Sequence, residues 1–291
     1  MASPSYNSIH RQQLFHWIGF HIERDTVRGE PLTDPLRNVY LDCLEDALTT
    51  GLWAKVPRNP DQLGDGKLVK VKRPITCFTE WSLGQSQPHA KRYGRLALGF
   101  PKTFVSKRGG QPVTYVRDST RRDPYVSAIN AIARFTGTLK ESDDAEEIKK
   151  HVEYLSHFVK RMKKLNKEPL SSLADATPAA HPEPSARPAR KPNRPRDLYS
   201  RTFGTTLHYM EEREWRIVYD DSLDSVFKKG PQNGQPEYYI PFKPGRELYT
   251  IALPDNRTVN LAFNRERLFE KLFPKDAPHV TIISLQDIGT F

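Results

Sequence analysis

The sequence predicts an α+β fold: a short-stranded mixed or antiparallel sheet with helices packed on it. Three observations lead there. Amphipathic helical stripes concentrate before a proline-rich stretch at 167–196. Short alternating segments bounded by Pro and Gly dominate after it. Those few strands would leave a face exposed if they formed a domain of their own. We therefore expect one domain, with an N-terminal part at 8–166, a strand-rich C-terminal part at 197–291, and the stretch between them looping out.

In chain order, residues 14–18 are a short apolar run around His16. At 38–50, Tyr40, Leu41, Leu44, Ala47 and Leu48 recur at helical spacing, and Gly51 supplies a stop. Segments 74–80, 95–100 and 112–116 read as strands, and 124–139 as a helix. The clearest helix is 143–164. Asp143 can cap it, Glu146 follows three residues on, and Ile148, Val152, Leu155, Phe158, Val159, Met162 and Leu165 form one stripe. Residues 167–196 hold seven prolines and hardly a large apolar side chain, too little burial to offset the entropy of ordering. Arg187, Arg190, Lys191, Arg194 and Arg196 crowd the end of that stretch, which suits either a stiff solvated spacer or a nucleic-acid-binding arm. Beyond it, 207–219, 238–242, 247–253, 259–263 and 280–285 read as strands, and 265–273 as a short helix.

Composition narrows the function classes. The chain has 291 residues, and its 45 Lys and Arg against 35 Asp and Glu leave a net charge of +10. Such a surplus attracts phosphate, so nucleic acid or a nucleotide is a natural partner, although solubility alone also accounts for it. No run of 18 apolar residues exists, which excludes a membrane-spanning helix. No apolar core follows a basic start, so no export signal is expected. With Cys43 and Cys77 the only cysteines, we expect reduced thiols in a cytoplasmic protein and no zinc site. Phosphate-loop, dinucleotide-fingerprint, nucleophile-elbow and H-E-x-x-H patterns are all missing from the sequence.

Four clusters stand out. Phe15-His16-Trp17 opens the ordered chain, and its histidine is either a core residue or a ligand contact. The segment 75–80 ends in Thr79 and Glu80, a hydroxyl and a carboxylate that can meet a polar ligand at a sheet edge or cap a helix. Lys91-Arg92-Tyr93-Gly94-Arg95 sets three cations around an aromatic, as suits phosphate, a base ring or a solvated turn. In Glu211-Glu212-Arg213-Glu214-Trp215-Arg216, strand alternation puts Glu212, Glu214 and Arg216 on one face. Charges on a core strand must pair, face solvent or serve a site.

Taken in order, CFTE at Cys77, RYGRLALGF at Arg92, GGQPVTYV at Gly109 and EREWRIVY at Glu212 resemble the abortive phage resistance proteins of the AbiGi type. That resemblance implies phage defence and an antitoxin-like role beside a toxin or other defence-system protein. The opening, LFHWIG followed by a helix ending in ALTTGLWAK, is similar to ADP-ribosyltransferase domains. This second resemblance implies an ADP-ribosyltransferase-like core and NAD as cofactor. It would give His16, Tyr93 and Glu214 the catalytic roles, with Tyr115 competing for the aromatic and Glu212 or Glu80 for the carboxylate. Arg92, Arg95, Arg216, Thr79 and Glu80 would then contact the cofactor. The function classes that follow are an NAD-using defence enzyme, a non-enzymatic antitoxin or regulatory partner, and a nucleic-acid-binding module.

Overall fold

The computed structural model describes residues 13–19, 22, 31–56, 73–80, 83–85, 87–117, 124–138, 143–162, 213–223, 225–230, 238–273, 275, 278 and 280–288. The 167–196 stretch and Glu212 lie outside them. The described part is α+β, as the sequence predicts, and is organised by a seven-stranded sheet in the order β12-β11-β4-β1-β3-β8-β5. These strands are β1 (Gln13–Ile18), β3 (Ile75–Thr79), β4 (Leu96–Pro101), β5 (Gln111–Pro112), β8 (Glu214–Val218), β11 (Thr250–Leu253) and β12 (Thr281–Ser284). All neighbours are antiparallel except β11 and β12, which are parallel. The sheet joins strands from both sides of the proline-rich stretch. A three-stranded sheet pairs β2 (Leu52–Ala54), β10 (Tyr238–Ile240) and β9 (Lys228–Lys229), and a parallel pair joins β6 (Thr114–Arg117) to β7 (Val159–Met162).

One face of the large sheet carries Leu14, Phe78, Leu96, Leu98, Phe100, Ile217, Ile251 and Leu253 into the main core. Helix α1 (Asp34–Thr50) closes that core with Tyr40, Leu41 and Leu44, and α3 (Lys102–Ser106) with Phe104 and Val105. Helix α6 (Asn256–Phe263) contributes Ala262, and α7 (Glu266–Leu272) contributes Leu268 and Leu272. The opposite face is built small at its centre. Ala97, Gly99 and Ala252 alternate there with the large residues of the first face, and this lets Phe15 and Ala90 of α2 (Gln87–Tyr93) pack close. A Cβ on Gly99 would lie 2.7 Å from the Phe15 ring. Farther along that face, α4 (Pro124–Thr138) and α5 (Asp143–Ser156) pack with β6 and β7 around Val116, Val126, Ile129, Val152 and Val159.

Four sequence expectations need correction. The helix expected through residue 164 ends at Ser156, and Val159–Met162 form β7 instead. The apolar stripe continues in phase across the break, and only pairing of Val159 with Thr114 decides between the two structures. Residues 259–263 are helical rather than a strand, because the Asp255 side chain accepts from the Thr258 backbone N–H (2.8 Å) and caps α6. The strand expected at 112–116 divides at Val113, whose N–H donates to Glu214 O (2.8 Å). In 247–253 only Thr250–Leu253 form a strand, since the residues before it close a turn in which Gly245 N–H donates to Leu248 O. Of the strand expected at 207–219, the described part is Glu214–Val218.

Candidate functional site

Register decides which candidate residues can meet. Phe15 lies opposite Thr79, and Thr79 opposite Glu214. Residues directly opposite each other in antiparallel strands share a face, and sequence neighbours point to opposite faces. Glu214 and Thr79 therefore share the face of Phe15, together with Cys77 and Arg216, which are paired in register. His16 projects from the other face, where its ring lies 5.7 Å from Phe78. The sheet itself thus stands between His16 and Glu214. The His16 Nδ1 bonds the Cys77 carbonyl (2.8 Å). Desolvation pushes its imidazole down to about 4, with that carbonyl opposing and Lys55 assisting, so the ring is neutral at pH 7.

Tyr93 ends α2 on the Glu214 face but at the far side of an aromatic row. Its ring is 5.8 Å from His89, and His89 is 6.4 Å from Trp17. The Trp17 indole in turn donates to Thr79 Oγ1 (3.0 Å). Tyr115, the competing aromatic, is the one that reaches the carboxylate, with its hydroxyl 3.5 Å from Glu214 Oε2. The Arg92 guanidinium lies 5.2 Å over the Tyr93 ring. Arg95 donates its backbone N–H to the Tyr40 hydroxyl (3.0 Å). Glu80 belongs to another cluster: it pairs with Lys102 and accepts from the Trp215 indole (3.0 Å).

The assembled centre is an ion-pair network around Glu214. Its Oε1 accepts from Arg216 Nε (2.8 Å), and its Oε2 accepts from Lys160 Nζ (2.9 Å). The Arg216 guanidinium also donates to the His157 carbonyl. Side-chain exposure is 8% for Glu214, 13% for Arg216 and 14% for Lys160, so water contributes little to solvating these charges. Burial pushes the Glu214 carboxyl up, but the charges of Arg216 and Lys160 and their hydrogen bonds outweigh it and hold the group down at about 2. The same carboxylate holds the Arg216 guanidinium firmly protonated against its own burial. Chemically, this arrangement fixes an ionised carboxylate whose charge is matched by two cations, with the Tyr115 hydroxyl on the same oxygen as Lys160.

Sequence reading missed Lys160 and His157. Both looked like members of a long helix, and only the break at Ser156 brings Lys160 onto β7 beside Tyr115. His157 is buried with its Nδ1 on the carbonyls of Glu153 (2.9 Å) and Tyr154 (3.2 Å), and burial lowers its imidazole to about 4 against those bonds. Among the described residues, no group of three or more His, Cys, Asp and Glu has the makings of a metal site, and no helix is long and apolar enough to cross a membrane.

This centre defines the described chain as an α+β protein with a locked, charged seam between β7 and β8. Residues 57–173, less than half of the chain, match the family model described as "Putative abortive phage resistance protein AbiGi, antitoxin". The match spans β3 through β7 and includes Lys160 and Tyr115, but neither His16 nor Glu214. No curated protein and no solved structure matches the chain.

Proposed function

We propose that the chain acts by binding rather than by catalysis, as the antitoxin-type member of an abortive-infection pair that restrains a toxin protein by occupying it. The observation that carries this reading is the state of Glu214. A carboxylate that stabilises a sugar cation must present its negative charge to the substrate, whereas the charge of this one is already matched by Arg216 and Lys160. The description of the family matched by residues 57–173 points the same way. An NAD-cleaving centre built on His16, Tyr93 and Glu214 would need one substrate within contact distance of all three, and the strand register puts His16 on the opposite face from Glu214.

Two measurements test the reading. Purified chain is incubated with NAD, with and without DNA and tRNA, and nicotinamide release is followed; release at the blank rate is expected. NAD turnover that co-purifies with the folded chain overturns the proposal. In the second, the product of the adjacent reading frame is induced alone and together with this chain. Growth restored by co-expression, with a complex that co-elutes, is expected. Arrest that persists despite soluble chain overturns the antitoxin role.

A further inference from the structure

The three-stranded sheet has one face in the core and the other in solvent. Leu52, Ala54 and Ile240 on the inner face are buried, and Tyr238 stacks there on the Tyr219 ring (4.0 Å between centroids). Register then sets the outer face. Trp53 lies opposite Tyr239, and Tyr239 opposite Lys228, so an indole, a phenol and an ammonium form one row across three strands. Lys55, two residues beyond Trp53, shares that face by alternation and is exposed, as is Lys228 on the edge strand β9. The Trp53 and Tyr239 rings sit 5.7 Å apart at 61°. Asp46 accepts from the indole N–H (3.2 Å) and so fixes the ring by its edge. Both aromatic side chains remain partly open to solvent.

We propose that this face binds a single-stranded nucleic acid, with bases stacking on Trp53 and Tyr239 and with Lys55 and Lys228 meeting the phosphates. Charge complementarity selects this occupant. A pair of π faces bordered by two ammonium groups offers the two interactions that an unpaired strand needs, stacking and phosphate neutralisation. A protein segment seeking an apolar face would have to strip water from those lysines at a cost. A duplex keeps its base faces stacked internally and so cannot use the rings. The site lies on strands apart from the Glu214 network, and the inference stands independently of the antitoxin reading. The chain's net charge of +10 raises the encounter rate with any such polyanion.

Fluorescence anisotropy of labelled oligodeoxythymidine, oligouridine and a duplex of equal length, titrated with the full chain at several salt concentrations, tests this. The unpaired strands are expected to bind more tightly than the duplex, and the two single-strand arms show whether the sugar matters. Tyr239→Ala should weaken binding roughly tenfold, in line with the loss of one stacked base, while Tyr239→Phe should retain it. Lys55→Ala with Lys228→Ala should flatten the salt slope by about 0.7 for each phosphate that is no longer neutralised. Trp53→Phe, which keeps a ring for stacking, serves in place of an alanine variant that unfolds, and an unchanged melting temperature confirms each fold. Equal affinity for duplex and single strand, unaltered affinity in folded Tyr239→Ala, or no binding at low salt overturns the proposal.

Discussion

Replacing Glu214 by Gln keeps the side chain's shape and removes its charge. The amide oxygen can still accept from Arg216 Nε, now 2.8 Å away, but the amide NH2 would face Lys160 Nζ, donor against donor, across 2.9 Å. Two cations that are largely shielded from water would then lose the charge of this carboxylate. Removing one partner of a buried pair in this way costs about 3–5 kcal/mol. Proton linkage gives a second route to the magnitude. A carboxyl held near 2 against an ordinary 4.5 contributes about 3 kcal/mol of stability at neutral pH. Against a total stability of roughly 5–15 kcal/mol, either figure is large. Urea unfolding followed by tryptophan fluorescence at pH 7 should show the midpoint falling by more than about 1 M at an ordinary slope. The sign with pH follows from the lowered value. The network's contribution is fully present above 4.5 and is lost as pH falls through about 2, so wild type and variant should converge in acid. A variant within about 1 kcal/mol of wild type at neutral pH would refute the assignment of Glu214 to a structural network.

Other consequences are equally direct. Asp255→Ala removes the α6 cap and leaves the buried Arg37 guanidinium without its main partner at 2.8 Å, so it should cost about 3 kcal/mol or more by chemical unfolding. The half-exposed Asp34, on the same arginine, should cost less than about 1 kcal/mol when replaced by Ala. Gly94→Ala puts a Cβ 2.4 Å from the Ile18 carbonyl at a φ of +108°, and should lower stability by more than about 2 kcal/mol or prevent soluble expression. Burial lowers His157 to about 4 from 6.5, so its contribution is intact above 6.5 and is lost as pH falls towards 4. That loss amounts to about 3 kcal/mol at most, and His157→Gln should flatten the melting-temperature profile across that window.

The helix at 38–50 was legible because its apolar residues recur at helical spacing over several turns, and the helix expected at 124–139 forms at Pro124–Thr138. The segment that begins at Val159 was not legible, because a single stripe passed through a helix, a turn and a strand without losing phase. At 259–263 the alternation of Val259, Leu261 and Phe263 suggested a strand, and the cap on Asp255 outweighed it. Within the candidate site, the sequence marked Glu214 and Arg216 as charges that needed an explanation. It held no sign that Lys160, from a different segment, would answer Glu214.

By itself the sequence determined the fold class, the positions of most of the short strands flanking Pro and Gly, the basic charge, and the placing of a carboxylate and a guanidinium on one face of β8. These are local properties, set by periodicity and by the chemistry of neighbouring residues. Only the tertiary structure decided that His16 and Glu214 face opposite sides of one sheet, that Tyr115 rather than Tyr93 reaches the carboxylate, and that Trp53, Tyr239 and Lys228 form a single row. The physical reason is register. A shift of one residue turns every side chain of a strand to the other face, and the pairing that fixes it joins residues far apart in the chain, through interactions that no local pattern encodes.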